Sequence, residues 1–142
     1  MKKIFLLFLI VVPCIFALSC DSGGGGDDDV APFIQNLTIL ADPGDYVETT
    51  SFSVGDTIYV AFEAYDENKD IKSAIATFYD ATTFDFRGEL ELALPKQTDK
   101  GMVYLLVFIP GAEDIGTNKL YLYIRDKAGK DSNVLSKNIT VH

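Results

Sequence analysis

The chain is 142 residues long, enough for one domain and a short appendage. It carries 12 Lys+Arg against 21 Asp+Glu, a net charge of −9, and a surface of that sign repels nucleic acid and anionic membrane faces. The two cysteines are Cys14 and Cys20 and the one histidine is His142, so residues 21–141 offer no disulfide framework, thiolate metal site or thiol nucleophile.

Met1-Lys2-Lys3 is a short positive start. Ile4 to Leu18 follows as fifteen uncharged residues broken by Pro13, short of the ~20 apolar residues of a spanning helix. The pattern fits the apolar core of a signal peptide over residues 1–19, which is not part of the mature fold. Ala17-Leu18-Ser19-Cys20 then places a small residue before a cysteine, with a Gly/Ser/Asp run directly after it. These residues resemble the leader of bacterial lipoproteins. The resemblance implies cleavage before Cys20, acylation of Cys20, and a place in the bacterial cell envelope. The protein would then sit on the inner or outer membrane and face the periplasm or the cell surface. Cleavage leaves ten Lys+Arg against 21 acids, a charge of −11, so charge alone would not hold the domain to a membrane. Several acyl chains would, at ~0.8 kcal/mol per buried CH₂.

Residues 20–29 are read as the acylated cysteine and a tether. Asp21 to Asp29 hold four glycines, four aspartates and one serine, with nothing apolar to bury. Such a stretch cannot offset its ordering entropy and is expected to be flexible, with an end-to-end distance of ~15–18 Å.

From Val30 to His142 the texture changes to β-branched and aromatic runs separated by Gly, Pro, Asp and Asn. Period-2 alternation predicts strands at Phe33–Leu40, Thr57–Tyr65, Ile71–Tyr79, Glu89–Leu94, Met102–Ile109, Lys119–Arg125 and Val134–Val141, with a minor edge strand near Thr50–Val54. Ile58, Val60, Phe62 and Ala64, and likewise Leu120, Leu122 and Ile124, are the expected core. Seven main strands over residues 30–142 predict an all-β, two-sheet sandwich. Val54-Gly55-Asp56-Thr57-Ile58, Asp66 to Ile71, Gly116-Thr117 and Arg125-Asp126-Lys127-Ala128-Gly129 together resemble bacterial immunoglobulin-like and fibronectin-III-like modules of cell-surface proteins. That resemblance implies adhesion, spacing or ligand display, and no reaction.

Simple alternation of the strands puts residues 66–70, 95–101 and 126–133 at the end where the tether enters. Residues 41–56, 80–88 and 110–118 fall at the far end. Tyr46, Phe52, Phe84 and Phe86 lie on far-end loops, where they are candidate partner contacts. Tyr121 and Tyr123 alternate with the core of their strand, and with Tyr79 they are a candidate exposed aromatic face for a sugar ring or a protein. The competing role for Tyr121 is a packed tyrosine corner. Asp66, Asn68 and Asp70 present oxygens at every second position, and Asp126 and Asp131 fall at the same end. These five are the candidate calcium ligands, against the plain alternative of solvated turns. Glu89 and Glu91 share a strand face, but nothing near them in sequence would split their pKa values. With no usable histidine or cysteine, the expected function is non-catalytic. It is an envelope-anchored binding or assembly module whose partner is another envelope protein, with calcium or a glycan as the alternative ligand and no other cofactor.

Overall fold

The computed structural model describes residues 30–142. The leader, Cys20 and the tether lie outside them. The described residues form eight strands: β1 (Phe33–Leu40), β2 (Ser51–Phe52), β3 (Ile58–Tyr65), β4 (Ile71–Asp80), β5 (Phe86–Ala93), β6 (Gly101–Phe108), β7 (Gly116–Asp126) and β8 (Leu135–Val141). A single 3₁₀ turn, Ala112–Asp114, precedes β7. The expected count of seven is thus too low, because the two-residue β2 is a true sheet member.

The strands form a three-stranded sheet, β1-β3-β6, and a five-stranded sheet, β2-β8-β7-β4-β5. Neighbours are antiparallel except β2, which runs parallel to β8 with Phe52 opposite Val141. In constant-type immunoglobulin domains the fourth strand joins the sheet of the first two. Here β5 pairs with β4 instead, which widens the second sheet and leaves the first at three strands.

Alternation explains why these residues form these strands. Ile58, Val60, Phe62 and Ala64 on β3 face Leu120, Leu122 and Ile124 of β7 in one core cluster with Ile34, Leu92, Tyr104 and Leu106. Tyr104 and Phe62 are fully buried and stack at 5.7 Å. Burial in apolar surroundings pushes the Tyr104 phenol up to about 12, with the nearby Asp66 carboxylate adding to the rise. β1 carries an irregularity between Gln35 and Thr38. There Asn36 takes a φ of 55°, a left-handed conformation that asparagine tolerates better than most residues. The inward row of β7 does not stay apolar to its ends. It begins with the buried Asn118 amide and finishes with the buried Asp126 carboxylate.

The two sheets are also stitched by one side chain. Asn133, just before β8, accepts from the Ile34 amide at 2.8 Å and donates to the Ile34 carbonyl at 2.9 Å. An amide side chain offers one acceptor and two donors, so it serves β1 as a substitute strand neighbour.

Candidate functional site

Loop placement follows from the pairing. Asp66 N–H donates to Lys100 O at 2.9 Å, and Lys127 N–H donates to Asp70 O at 3.1 Å. These bonds gather residues 66–70, 100 and 127 at the end where residue 30 enters. At the opposite, distal end Gly55 N–H donates to Pro110 O, Val54 N–H to His142 O and Ala81 N–H to Thr117 O.

The outer face of the five-stranded sheet carries the aromatic residues. Cross-strand rows there read Phe86–Tyr79–Lys119, then Glu89–Thr77–Tyr121–Ser136, then Glu91–Ile75–Tyr123. Neighbours in such rows lie close enough for their side chains to interact. The Tyr79 ring makes edge contacts at 5.7 Å with both Phe86 and Tyr121. Lys119 Nζ lies 5.1 Å from the Tyr121 ring centre, and the Arg125 guanidinium 5.9 Å from that of Tyr123. Tyr79, Phe84, Tyr121, Tyr123, Thr77 and Glu89 line one open groove of about 400 Å³. Tyr121 therefore belongs to the outer face and does not serve as a packed corner. Burial first, then the Asp131, Glu89 and Glu91 carboxylates, push the Tyr123 phenol up, against an opposing pull from Arg125.

Phe84 reaches this surface from the turn between β4 and β5, whereas Phe86, expected on a loop, is the first residue of β5; both are well exposed. Asp80 builds the turn. Its Oδ1 accepts from Thr82 N–H at 2.8 Å and Thr83 N–H at 3.0 Å, its backbone carbonyl accepts from Phe84 N–H at 2.9 Å, and Oδ2 binds the Arg87 guanidinium. Phe84 itself has a φ of 61°, a strained conformation for a bulky side chain that only a well-held turn sustains. The Thr83 amide most of all, then Arg87 and the Thr82 amide, hold the Asp80 carboxyl well below its usual range.

One sequence expectation for these aromatics needs correction. Phe52 is buried and packed in the core, because β2 docks on the end of β8. Tyr46 is 75% exposed at a φ of 52°, but no ring contact joins it to the other aromatics among the described residues. It belongs to a separate turn, with Val47, at the distal end.

Three of the candidate calcium ligands, Asp66, Asp126 and Asp131, are engaged within the protein itself. Asp66 spends its two oxygens on its own loop, accepting from Asn68 N–H at 3.1 Å and Asp70 N–H at 2.8 Å. Asp126 uses only Oδ1 on the next loop, accepting from Lys130 N–H at 2.8 Å, while its buried Oδ2 has no hydrogen-bond partner among the described residues. Asp131 is a bidentate partner of Arg125, at 2.6 and 3.0 Å, beside the outer face. That pairing lowers the Asp131 carboxyl and raises the Arg125 guanidinium. Among the described residues no group of three or more His, Cys, Asp or Glu is placed to hold a metal ion. The alternating spacing arises from turn construction, in which Asp and Asn cap the backbone.

No family model matches this sequence. No curated protein matches it either. Among solved structures the chain is similar to a Niemann-Pick type C2 protein from the Japanese carpenter ant, at 12% identity and a TM-score of 0.52, over 82% of this chain and 96% of that one. It is more distantly similar to a CARDB domain from Pyrococcus furiosus crystallised with di-metal ions, at 9% identity and a TM-score of 0.39, over 84% of this chain and 100% of that one. A cohesin module of a Clostridium perfringens family 33 glycoside hydrolase scores 0.38 at 9% identity, over 79% of this chain and 97% of that one. The first of these likenesses is one of fold, and it agrees with the pairing described above: residues 30–142 form an all-β, two-sheet sandwich.

Proposed function

We propose that this protein is a non-catalytic binding module of the bacterial cell envelope, anchored by acylated Cys20 and engaging another envelope protein through the outer face of its five-stranded sheet. The observation that carries the reading is the groove of Tyr79, Phe84, Tyr121 and Tyr123, flanked by Phe86. Tyrosine and phenylalanine give large contact area with few rotors to freeze, which is why they dominate the energetics of interfaces. Paired charges at the rim, Arg125–Asp131 and Arg87–Asp80, would set orientation more than strength.

The test is capture from solubilised native membranes. The wild-type protein should retain a discrete partner, and a variant with Tyr79, Tyr121 and Tyr123 replaced by serine should lose it while keeping its fold. Equal capture by both would remove the outer face from the proposal.

A glycan is the second reading, favoured by the mixture of tyrosine rings with the Glu89 carboxylate and the Thr77 hydroxyl in one groove. A glycan array separates the two: saturable binding to a sugar, lost in the same triple variant, would replace the protein partner.

A further inference from the structure

The net charge of −9 is spread unevenly. At the end where residue 30 enters, the segments 66–72, 95–101 and 126–133 hold six lysines against six acids. The rest of residues 30–142 hold four cations against eleven acids. Two of the six acids at the entry end, Asp66 and Asp126, are buried. Glu67 is paired with Lys100, and Asp131 with Arg125. Lys72, Lys96 and Lys127 are exposed, and among the described residues no carboxylate pairs with them. Lys69 Nζ donates to Thr98 O at 3.3 Å and Leu94 N–H to Lys72 O at 3.0 Å, which sets these segments side by side.

Apolar surface sits among the lysines. Phe33 and Tyr65 stand opposite each other at the start of β1 and the end of β3. Val30, Phe33 and Tyr65 are 51, 48 and 43% exposed, and together they line a cavity of about 160 Å³ that Lys100 also walls. A single exposed apolar residue is ordinary, but three sharing one hollow mark a contact surface. Tyrosine is enriched at membrane–water interfaces, and lysine lays its alkyl stem along apolar surface while its ammonium stays among phosphates. The chain's own connection favours a lipid surface as the occupant. Nine residues separate Cys20 from Val30, a span of ~15–18 Å, so a lipid on Cys20 would keep this end within reach of the bilayer. At such a spacing, contacts too weak to recruit a free protein are sufficient.

We propose that the entry end is a lipid-docking face. Val30, Phe33 and Tyr65 enter the headgroup layer of the membrane that carries the anchor, and Lys72, Lys96 and Lys127 meet its phosphates. An anionic leaflet repels the eleven acids elsewhere, so the domain stands with its distal end outward. The proposal rests on the anchor at Cys20, and its test supplies that anchor by other means.

The chain from Cys20 on keeps every described residue and the whole core, with one thiol and no tryptophan. That thiol is coupled to a maleimide lipid in vesicles of phosphatidylethanolamine and phosphatidylglycerol in equal parts. Phe33→Trp then reports on the entry end and Tyr46→Trp on the distal end. Coupling should shift the emission of Phe33→Trp to the blue, and lipids brominated near the headgroup should quench it. The emission of Tyr46→Trp should not change. Adding Lys72→Glu, Lys96→Glu and Lys127→Glu to Phe33→Trp should abolish the quenching, with circular dichroism confirming the fold. Unchanged emission from Phe33→Trp, equal quenching at both positions, or quenching that survives the charge reversal would each overturn the docking face. None of these results bears on acylation, which fractionation of Cys20→Ser tests by itself.

Discussion

Asp80 holds the turn that shows Phe84 to solvent, and its chemistry makes that turn pH-sensitive. Hydrogen bonds from Thr83 and Thr82 and the Arg87 guanidinium all favour the charged form, so the folded carboxyl titrates below its ordinary value of 3.8. A depressed acid stabilises the fold fully above its unfolded pKa and loses that contribution as pH falls toward the folded value. The melting temperature of Asp80→Ala should therefore lie below that of wild type at neutral pH, with the gap closing from about pH 5 toward pH 2. Asp80→Asn should fall less far, because the amide still accepts from the turn. A gap that does not change with pH would contradict this account. Tyr104 behaves in the opposite sense. Its phenol is raised from 10.0 to about 12 by burial, so the stability it supports is complete below pH 10 and is lost as pH rises toward 12. In an ultraviolet titration, one of the seven tyrosines should ionise only as the domain unfolds in alkali. Seven tyrosines titrating together in the folded state would refute it. At this scale the sequence was least legible. Asx spacing at 66–70 looked like ligand geometry, yet Asp66 turns both oxygens onto its own backbone. Nothing in the chain's pattern distinguished Asn118 from an ordinary strand-flanking polar residue.

Among elements, the strands with one buried and one open face were legible, because period 2 records that asymmetry directly. β1 spans its predicted range, and β3 and β8 each start one residue later than expected. The failures sit where that asymmetry fades. β5 begins at Phe86 instead of Glu89, since Phe86-Arg87-Gly88 on an edge strand carries no inward apolar repeat. β7 begins at Gly116 because its first inward residue is Asn118, which reads as polar. β2 falls inside the minor edge strand expected near Thr50–Val54, but two residues are too few to tell the buried face, and so Phe52 was read as an exposed far-end contact. Turns at the ends of strands make their own prediction. Gly129 has a φ of 87° with open space around it, so Gly129→Ala should cost about 1–2 kcal/mol from backbone strain alone. Gly88 also has open space but no positive φ, and Gly88→Ala should leave chemical denaturation nearly unchanged. Equal losses at the two sites would show that the turn conformation is not what matters at Gly129.

Over the whole molecule the long axis separates two ends of different character. Residue 30 enters at one, and exposed Tyr46, Val47, Phe84 and Ile115 crowd the other among acids such as Asp42, Asp45, Asp85 and Glu113. A protein held by its amino end would present those apolar tips outward. Lipid attachment at Cys20 is the premise, and Cys20→Ser should move the protein from the membrane to the soluble fraction. Retention of the variant on the membrane would contradict anchoring through that residue. The clip between Asn133 and Ile34 has a mechanical consequence for a body hung this way. A pull on the leading segment would ordinarily unzip β1 from β3, one rung after another. Here Ile34, the second residue of β1, is tied to a residue 99 positions further along the chain, so the load passes early to the segment that leads into β8 of the opposite sheet. Cutting that tie, as in Asn133→Ala, leaves the leading strand as the seam along which the domain tears.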